Sequence, residues 1–366
     1  MMRVWLVGVS MMIGSALSAG DWPSFRGNPP QTGTAEVDPK LPDTLALRWQ
    51  FATGDAIENG AAIVGGVVYV GSLDEHLYAI SLADGQLKWK QKLGPIKAVP
   101  TIHANTLFIG DIDGKIYALD PATGKTRWTF ETEGEITSGS SISGDTILFA
   151  SQDQTLYCLG QADGKLRWKF TTEGPVYGAP AVAKGRTFVA GCDSNLRIID
   201  LKDGKEVGAV DLGGQTANSV AVIDRYLYLG TMANQVLGID WQEAKVVWRY
   251  EAPRRRQAYF ASPAVTDKLV VIGGRDRKIT ALDRRSGKEV WVYETGNRVD
   301  GSPVVAGSRV YAASMDKKLY VLELATGKLV QAITLDSPSI CSPAVADGAL
   351  VIGTNRGTVY CFGKAN

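Results

Sequence analysis

Apolar and polar positions alternate along most of this chain in short runs, and the runs recur. The segments LYAISLADGQLKW (77–89), IYALDPATGKTRW (116–128), LYCLGQADGKLRW (156–168) and ITALDRRSGKEVW (279–291) share one plan. An alternating apolar run is followed by a polar turn with glycine, and then by tryptophan. The period is about 40 residues, the length expected of one four-stranded propeller blade. Within a unit, residues 301–307, 308–314, 319–324 and 328–333 read as four strands. Each has period-2 or continuous apolar character and is bounded by turn residues. In the DPATGK turn, Asp120 opens the reversal, Pro121 presets φ and Gly124 takes the left-handed conformation.

Pro100, Pro180, Pro263, Pro303 and Pro343 recur at one position, near the first strand of their units. Proline cannot donate to a ladder, so these first strands are expected to be edges facing a central channel. Units begin near Gly60, Val99, Gly139, Ala179, Ser219, Ser262, Ser302 and Ser342. The eighth ends at VYCFGKAN without a fourth strand, whereas LALRWQF (45–51) is a fourth strand without a unit. The predicted fold is therefore all-β: an eight-bladed propeller of four-stranded antiparallel blades, with the N-terminal strand completing the last blade. Residues 45–366 are expected to form this single domain, preceded by a leader at 21–44.

The aligned tryptophans Trp49, Trp89, Trp128, Trp168, Trp248 and Trp291 are read as blade-docking residues, each removing about 2–3 kcal/mol of apolar surface from water. Gly208 and Gln331 fill the two remaining slots and predict weaker seams. Residues 1–20 carry one basic residue, Arg3, then an apolar run, then small residues. This reads as a signal peptide cut between Ser18 and Asp21, its apolar run being shorter than a spanning helix needs. The mature chain is expected in the periplasm or secreted, as a monomer without a transmembrane span. No cysteine lies near the cut. Cys158, Cys192, Cys341 and Cys361 are read as free thiols, because Cys158 and Cys361 stand where other units have Ala79, Ala118 and Ala281.

The formal net charge is +1, which argues against nucleic acid as a global partner. His76 and His103 fall in turns on opposite faces and cannot share a site. Asp74, Asp113, Asp153, Asp193, Asp276 and Asp316 share one loop position; they are read as turn-capping residues rather than a cation-binding ring. The loops linking blades and those between second and third strands share one face, here called upper. On it, blades one to three carry acids, among them Asp55, Glu58, Asp74, Glu75, Asp111 and Glu133. Blades six to eight carry Arg254, Arg255, Arg256, Arg275, Arg277, Lys278, Arg298 and Arg356. The three adjacent arginines lie in a lengthened loop: Trp248 to Pro263 spans fifteen positions, where Trp291 to Pro303 spans twelve. These cations are the candidate partner-binding site.

The units resemble pyrroloquinoline-quinone-type propeller repeats over residues 45–363, and DWPSFRGNPPQTG (21–33) resembles a leader found before such propellers, its Trp22 and Phe25 expected to pack onto the ring. Enzymes of that type imply a quinone, a calcium or lanthanide ion held by acids and, in alcohol-oxidising forms, an adjacent cysteine pair. This chain has no adjacent cysteines and its loops are short, so no catalytic residue, metal site or cofactor is assigned. The resemblance extends to the non-catalytic propeller lipoproteins of the outer-membrane β-barrel assembly machine, which implies a scaffold binding a protein partner in the cell envelope. A quinone-dependent oxidoreductase using Ca²⁺, or a polyanion- or glycan-binding propeller, is the alternative.

Overall fold

Short β-branched and apolar runs separated by glycine turns fold as antiparallel strands, and here they do so four at a time. The computed structural model describes residues 20–35, 37, 39–252 and 257–365. The segment read as a signal peptide, apart from Gly20, and the loop residues Arg254, Arg255 and Arg256 lie outside these. Among the described residues, eight four-stranded antiparallel sheets stand around an axis. Blade 1 comprises Ala62–Val64, Val67–Gly71, His76–Ser81 and Leu87–Lys92. Blades 2–7 repeat that order. In blade 8, Ala344–Ala346, Ala349–Gly353 and Thr358–Gly363 are joined by Ala46–Ala52 as the outer strand, Trp49 lying opposite Cys361. The first and last strands of the ring are thus hydrogen-bonded neighbours, and no blade is left open.

Inner strands are short and buried, while outer strands alternate exposed and half-buried residues. Neighbouring blades pack through side chains, and the tryptophans form a repeated seam. Trp49, Trp89, Trp128, Trp168, Trp248 and Trp291 donate from Nε1 to the carbonyls of Leu82, Pro121, Gln161, Leu201, Arg284 and Leu324 in the next blade, at 2.8–3.0 Å. Each indole also stacks on a left-handed glycine of the next blade's outer turn: Gly85, Gly124, Gly164, Gly204, Gly287 and Gly327. A Cβ on Gly327 would come within 2.5 Å of the Trp291 ring.

The two slots without tryptophan hold other contacts. Opposite Gly208 the turn residue is Ala244, which keeps a positive φ of 48°. From the same neighbouring blade Trp241 reaches back and meets the Phe188 ring edge-on at 5.4 Å. At the seventh slot, the Gln331 amide makes two 2.9 Å hydrogen bonds to the backbone of Leu45.

The leader runs inside the ring rather than over it. A first strand facing the channel has N–H groups with no neighbouring strand to accept them. Leader carbonyls accept these bonds: Trp22 from Ile63, Pro23 from Ile102, Pro29 from Val182, Pro30 from Val222, Thr32 from Val265 and Gly33 from Val305, all at 2.8–2.9 Å. Gln31 reaches Ser141 of blade 3, and Pro39 accepts from Gly348 of blade 8. The leader therefore touches every blade. The prolines Pro29 and Pro30 lose nothing by lacking N–H, because the segment acts here as an acceptor.

Candidate functional site

The upper mouth of the channel is a polar funnel of about 230 Å³, with Phe25 of the leader at its base. Its wall includes Glu58, Asn59, Ser138, Asn218, Phe260, Arg275 and Asp300. The loops that enter successive blades supply these residues, except Arg275, which comes from the loop between the second and third strands of blade 6; all are irregular backbone and carry side chains of mixed chemistry.

Asp300 organises the cationic side. Its carboxylate accepts both Nε and Nη2 of Arg275, at 3.0 and 3.1 Å, and takes Nε of Arg298 at 3.0 Å. The Arg275 guanidinium also lies over the Phe260 ring, 3.7 Å from its centre. The structure thus brings Arg275 and Arg298 together, but through a shared counter-ion. Arg277, Arg298 and Arg356 are exposed and Lys278 is half-buried at the start of its strand. Lys317 and Lys318 are exposed beside them. Arg254, Arg255 and Arg256 lie outside the described residues.

The recurring loop acids are more structural than their charge suggests. Asp74, Asp153 and Asp316 each accept a tyrosine hydroxyl, from Tyr78, Tyr157 and Tyr320, at 2.6–2.7 Å. The same carboxylates accept backbone N–H groups of Gly54, Glu133 and Gly296 in the adjoining inter-blade loops. In blade 2 the clasp is Asp111, not Asp113: it binds the Tyr117 hydroxyl at 2.8 Å and the Gly94 N–H at 3.1 Å. The one-per-blade spacing selected Asp113 because it aligns in sequence, whereas the buried Asp111 reaches the same partners from two residues earlier. In blade 4, Asp193 instead pairs with Arg197 at 2.9 Å. Glu58 and Glu75 are engaged by Lys97 and Lys92. Burial and the carboxylates raise the Tyr78, Tyr117, Tyr157 and Tyr320 hydroxyls well above the usual phenol range, that of Tyr157 to about 12.

Below the funnel lies a residue that repeat analysis passed over. Arg26 is 1 % exposed, has φ of 60°, and donates from Nη2 to the carbonyls of Pro263 and Pro303 at 3.0 and 2.6 Å. Burial lowers its pKa to about 9. The available signal was the match between one leader arginine and a ring of in-register prolines whose carbonyls face the axis. That signal becomes visible once the leader is placed in the channel.

The donor set can be tested against a quinone with its cation. In the funnel, Asp300 is committed to two arginines and Glu58 to Lys97, and the Phe260 face is covered by Arg275. No group of three Asp, Glu, His or Cys side chains gathers among the described residues. The funnel volume is below the roughly 300–1,000 Å³ of ordinary small-molecule pockets. The four cysteines are free, with Cys158, Cys341 and Cys361 buried. These residues do not fit that cofactor. His76 sits against the Asp74 backbone, whereas His103 ends a first strand at the opposite face.

Comparisons with known proteins give the same propeller fold. The family described as "Outer membrane protein assembly factor BamB" matches residues 37–141, 112–207 and 192–366. Among solved structures, BamB from Moraxella catarrhalis is similar with a TM-score of 0.75 and 18 % identity, over 88 % of this chain and 100 % of that one. Quinohemoprotein alcohol dehydrogenase from Comamonas testosteroni gives 0.81 and 13 %, over 95 % and 81 %. A europium-containing methanol dehydrogenase gives 0.79 and 14 %, over 95 % and 98 %. At such identities the structural likeness shows the fold alone. Comparison with curated proteins gives no significant match.

Proposed function

Because the chain belongs to the family described as outer membrane protein assembly factor BamB, we propose that it is a non-catalytic propeller of the cell envelope that docks a protein partner on its upper face. The observation that carries this reading is the exposed cationic sector of Arg277, Arg298, Lys317, Lys318 and Arg356 around a funnel whose own acids, Glu58 and Asp300, are already ion-paired. Such a sector attracts an acidic protein surface and orients it, acting more on association rate than on final affinity. Arg254, Arg255 and Arg256 belong to the same proposed surface. An envelope location is supported by the family and by the apolar N-terminal segment; among the described residues no helix is long and apolar enough to cross a membrane. The partner is a subunit of an outer-membrane assembly apparatus, and the propeller acts as a monomeric scaffold.

The test is site-specific photo-crosslinking in the native envelope. Positions 277 and 356 are compared with the lower-face position 184, and Arg277, Arg298 and Arg356 are then reversed to glutamate. Upper-face crosslinks to one assembly subunit that vanish on charge reversal are expected. Equal crosslinking from both faces, or crosslinks indifferent to the reversal, would overturn the site. Dye-linked alcohol oxidation on adding quinone and Ca²⁺ would overturn the non-catalytic reading. Salt-sensitive retention on an anionic polysaccharide, without a protein crosslink, would favour the glycan-binding alternative.

A further inference from the structure

The seam between blades five and six differs from its counterparts in a way the scaffold reading does not use. A cavity of about 390 Å³ opens there, lined by Asp224, Tyr226, Tyr228, Trp248, Arg284 and Arg285, with Val247 at its edge. The ring supplies its own controls. The turn residue just past each third strand, whose carbonyl receives the tryptophan Nε1, is Leu82, Pro121, Gln161, Leu201 or Leu324 at the other tryptophan seams, Pro121 being the second residue past its strand and the others the first. At this seam it is Arg284. The matching cavity between blades one and two, about 330 Å³, has Pro121 and Ala122 where this one has Arg284 and Arg285. An apolar or neutral residue suffices for the seam, so packing alone does not require the arginine.

Arg284 is 8 % exposed, and its Nε donates to the Asp267 carbonyl at 2.9 Å. Its Nη1 is buried without a hydrogen-bond partner, the nearest carboxylate being that of the mostly exposed Asp224 at 3.5 Å. The contact to Asp224 is an ion pair without a hydrogen bond; a buried guanidinium nitrogen lacking that bond is costly, and a carboxylate inside the cavity matches its geometry. Aromatic walls complete the site. The Tyr228 and Trp248 rings lie 5.8 Å apart at 31°, Tyr226 stands at the entrance, and Arg285 is exposed at the rim. Burial pushes the Tyr228 hydroxyl up to about 12 against the opposing pull of the neighbouring Arg284 guanidinium, so it stays neutral.

We propose that this inter-blade cavity is a binding site for a small aromatic carboxylate, its anionic group on Arg284 and its ring among Tyr226, Tyr228 and Trp248. The aromatic side chains line a space for a flat apolar ring, and Nη1, which makes no hydrogen bond and holds only the 3.5 Å ion pair to Asp224, donates to the carboxylate that such a molecule carries. Asp224, at the rim, is displaced from Arg284 when the ligand enters.

The test is calorimetric titration of the intact protein with phenylacetate, its neutral isostere phenylacetamide, and the non-aromatic cyclohexylacetate. Phenylacetate is expected to bind once per chain, with each comparison compound about tenfold or more weaker. Arg284→Met is expected to weaken phenylacetate by about tenfold or more while leaving phenylacetamide unchanged. Should that variant fold poorly, Arg285→Met and Tyr226→Leu, at the solvent side of the cavity, are each expected to weaken phenylacetate several-fold with the seam intact. No heat with phenylacetate at millimolar concentration, equal binding of acid and amide, or full binding by the folded variants would overturn the site.

Discussion

Replacing Trp22 by alanine should release the leader from the channel without unfolding the ring. Trp22 is 4 % exposed, exchanges two 2.8 Å backbone hydrogen bonds with Ile63, and covers Gly27, where a Cβ would lie 2.7 Å from the indole. Truncating a buried tryptophan to alanine costs about 3–5 kcal/mol. If that loss falls on local opening of the leader, the opening equilibrium rises by roughly two to three and a half orders of magnitude, at about 1.4 kcal/mol per factor of ten. Native-state hydrogen exchange reads this directly. The amides of Ile63, Ile102, Val182, Val222, Val265 and Val305 donate to leader carbonyls, so they should lose protection together. Amides of second strands, such as Phe108 and Val271, belong to ladders inside the blades and should keep theirs. Unchanged exchange at those six amides would refute the view that the leader completes the inner edges. Equal loss across all strands would refute its independence from the ring.

Gly327→Ala should destabilise the ring by about 1–3 kcal/mol in denaturant unfolding, because its φ of 70° disfavours a side chain and the new methyl meets Trp291. Ala244→Gly, at the turn facing Gly208, should change stability by less than about 1 kcal/mol. Equal effects would contradict the tryptophan-on-glycine seam. A thiol reagent at pH 8 should modify the half-buried Cys192 in the native protein, with Cys158, Cys341 and Cys361 reacting after unfolding; burial raises the pKa of all four, that of Cys158 to about 11 and those of Cys341 and Cys361 to about 12. Rapid native modification of all four would show the blades to be open. The clasp tyrosines have folded pKa values above the unfolded value near 10, so their contribution is complete below about pH 10 and is lost as pH rises through about 12 and beyond. Thermal unfolding should therefore be flat to about pH 9 and weaken above pH 10, and Tyr78→Phe with Tyr320→Phe should blunt that loss.

The repeat made the architecture legible because each blade must solve the same local problem: alternating strands, a left-handed turn and a flat ring to cover the next blade. Closure was readable for the same reason, since an eighth unit lacking an outer strand and an N-terminal strand lacking a unit have one economical solution. Site chemistry was less legible. Arg275 and Arg298 are cations in sequence but share Asp300 in space, and Asp113 occupies the aligned position while Asp111 makes the contacts. Charge counts assign a sign to a face; they do not tell which charges are already spent on each other.

Periodicity alone determines the strands, the blade number and the positions of the six docking tryptophans, because these depend on contacts repeated at fixed spacing. The tertiary structure decides the features made once. The leader enters the channel, where its carbonyls accept from the inner edges of six blades, Arg26 is buried where proline carbonyls converge on the axis, and Trp241 crosses a seam to meet Phe188. Such contacts join residues far apart in the chain and follow no period, so they come into existence only when the ring closes.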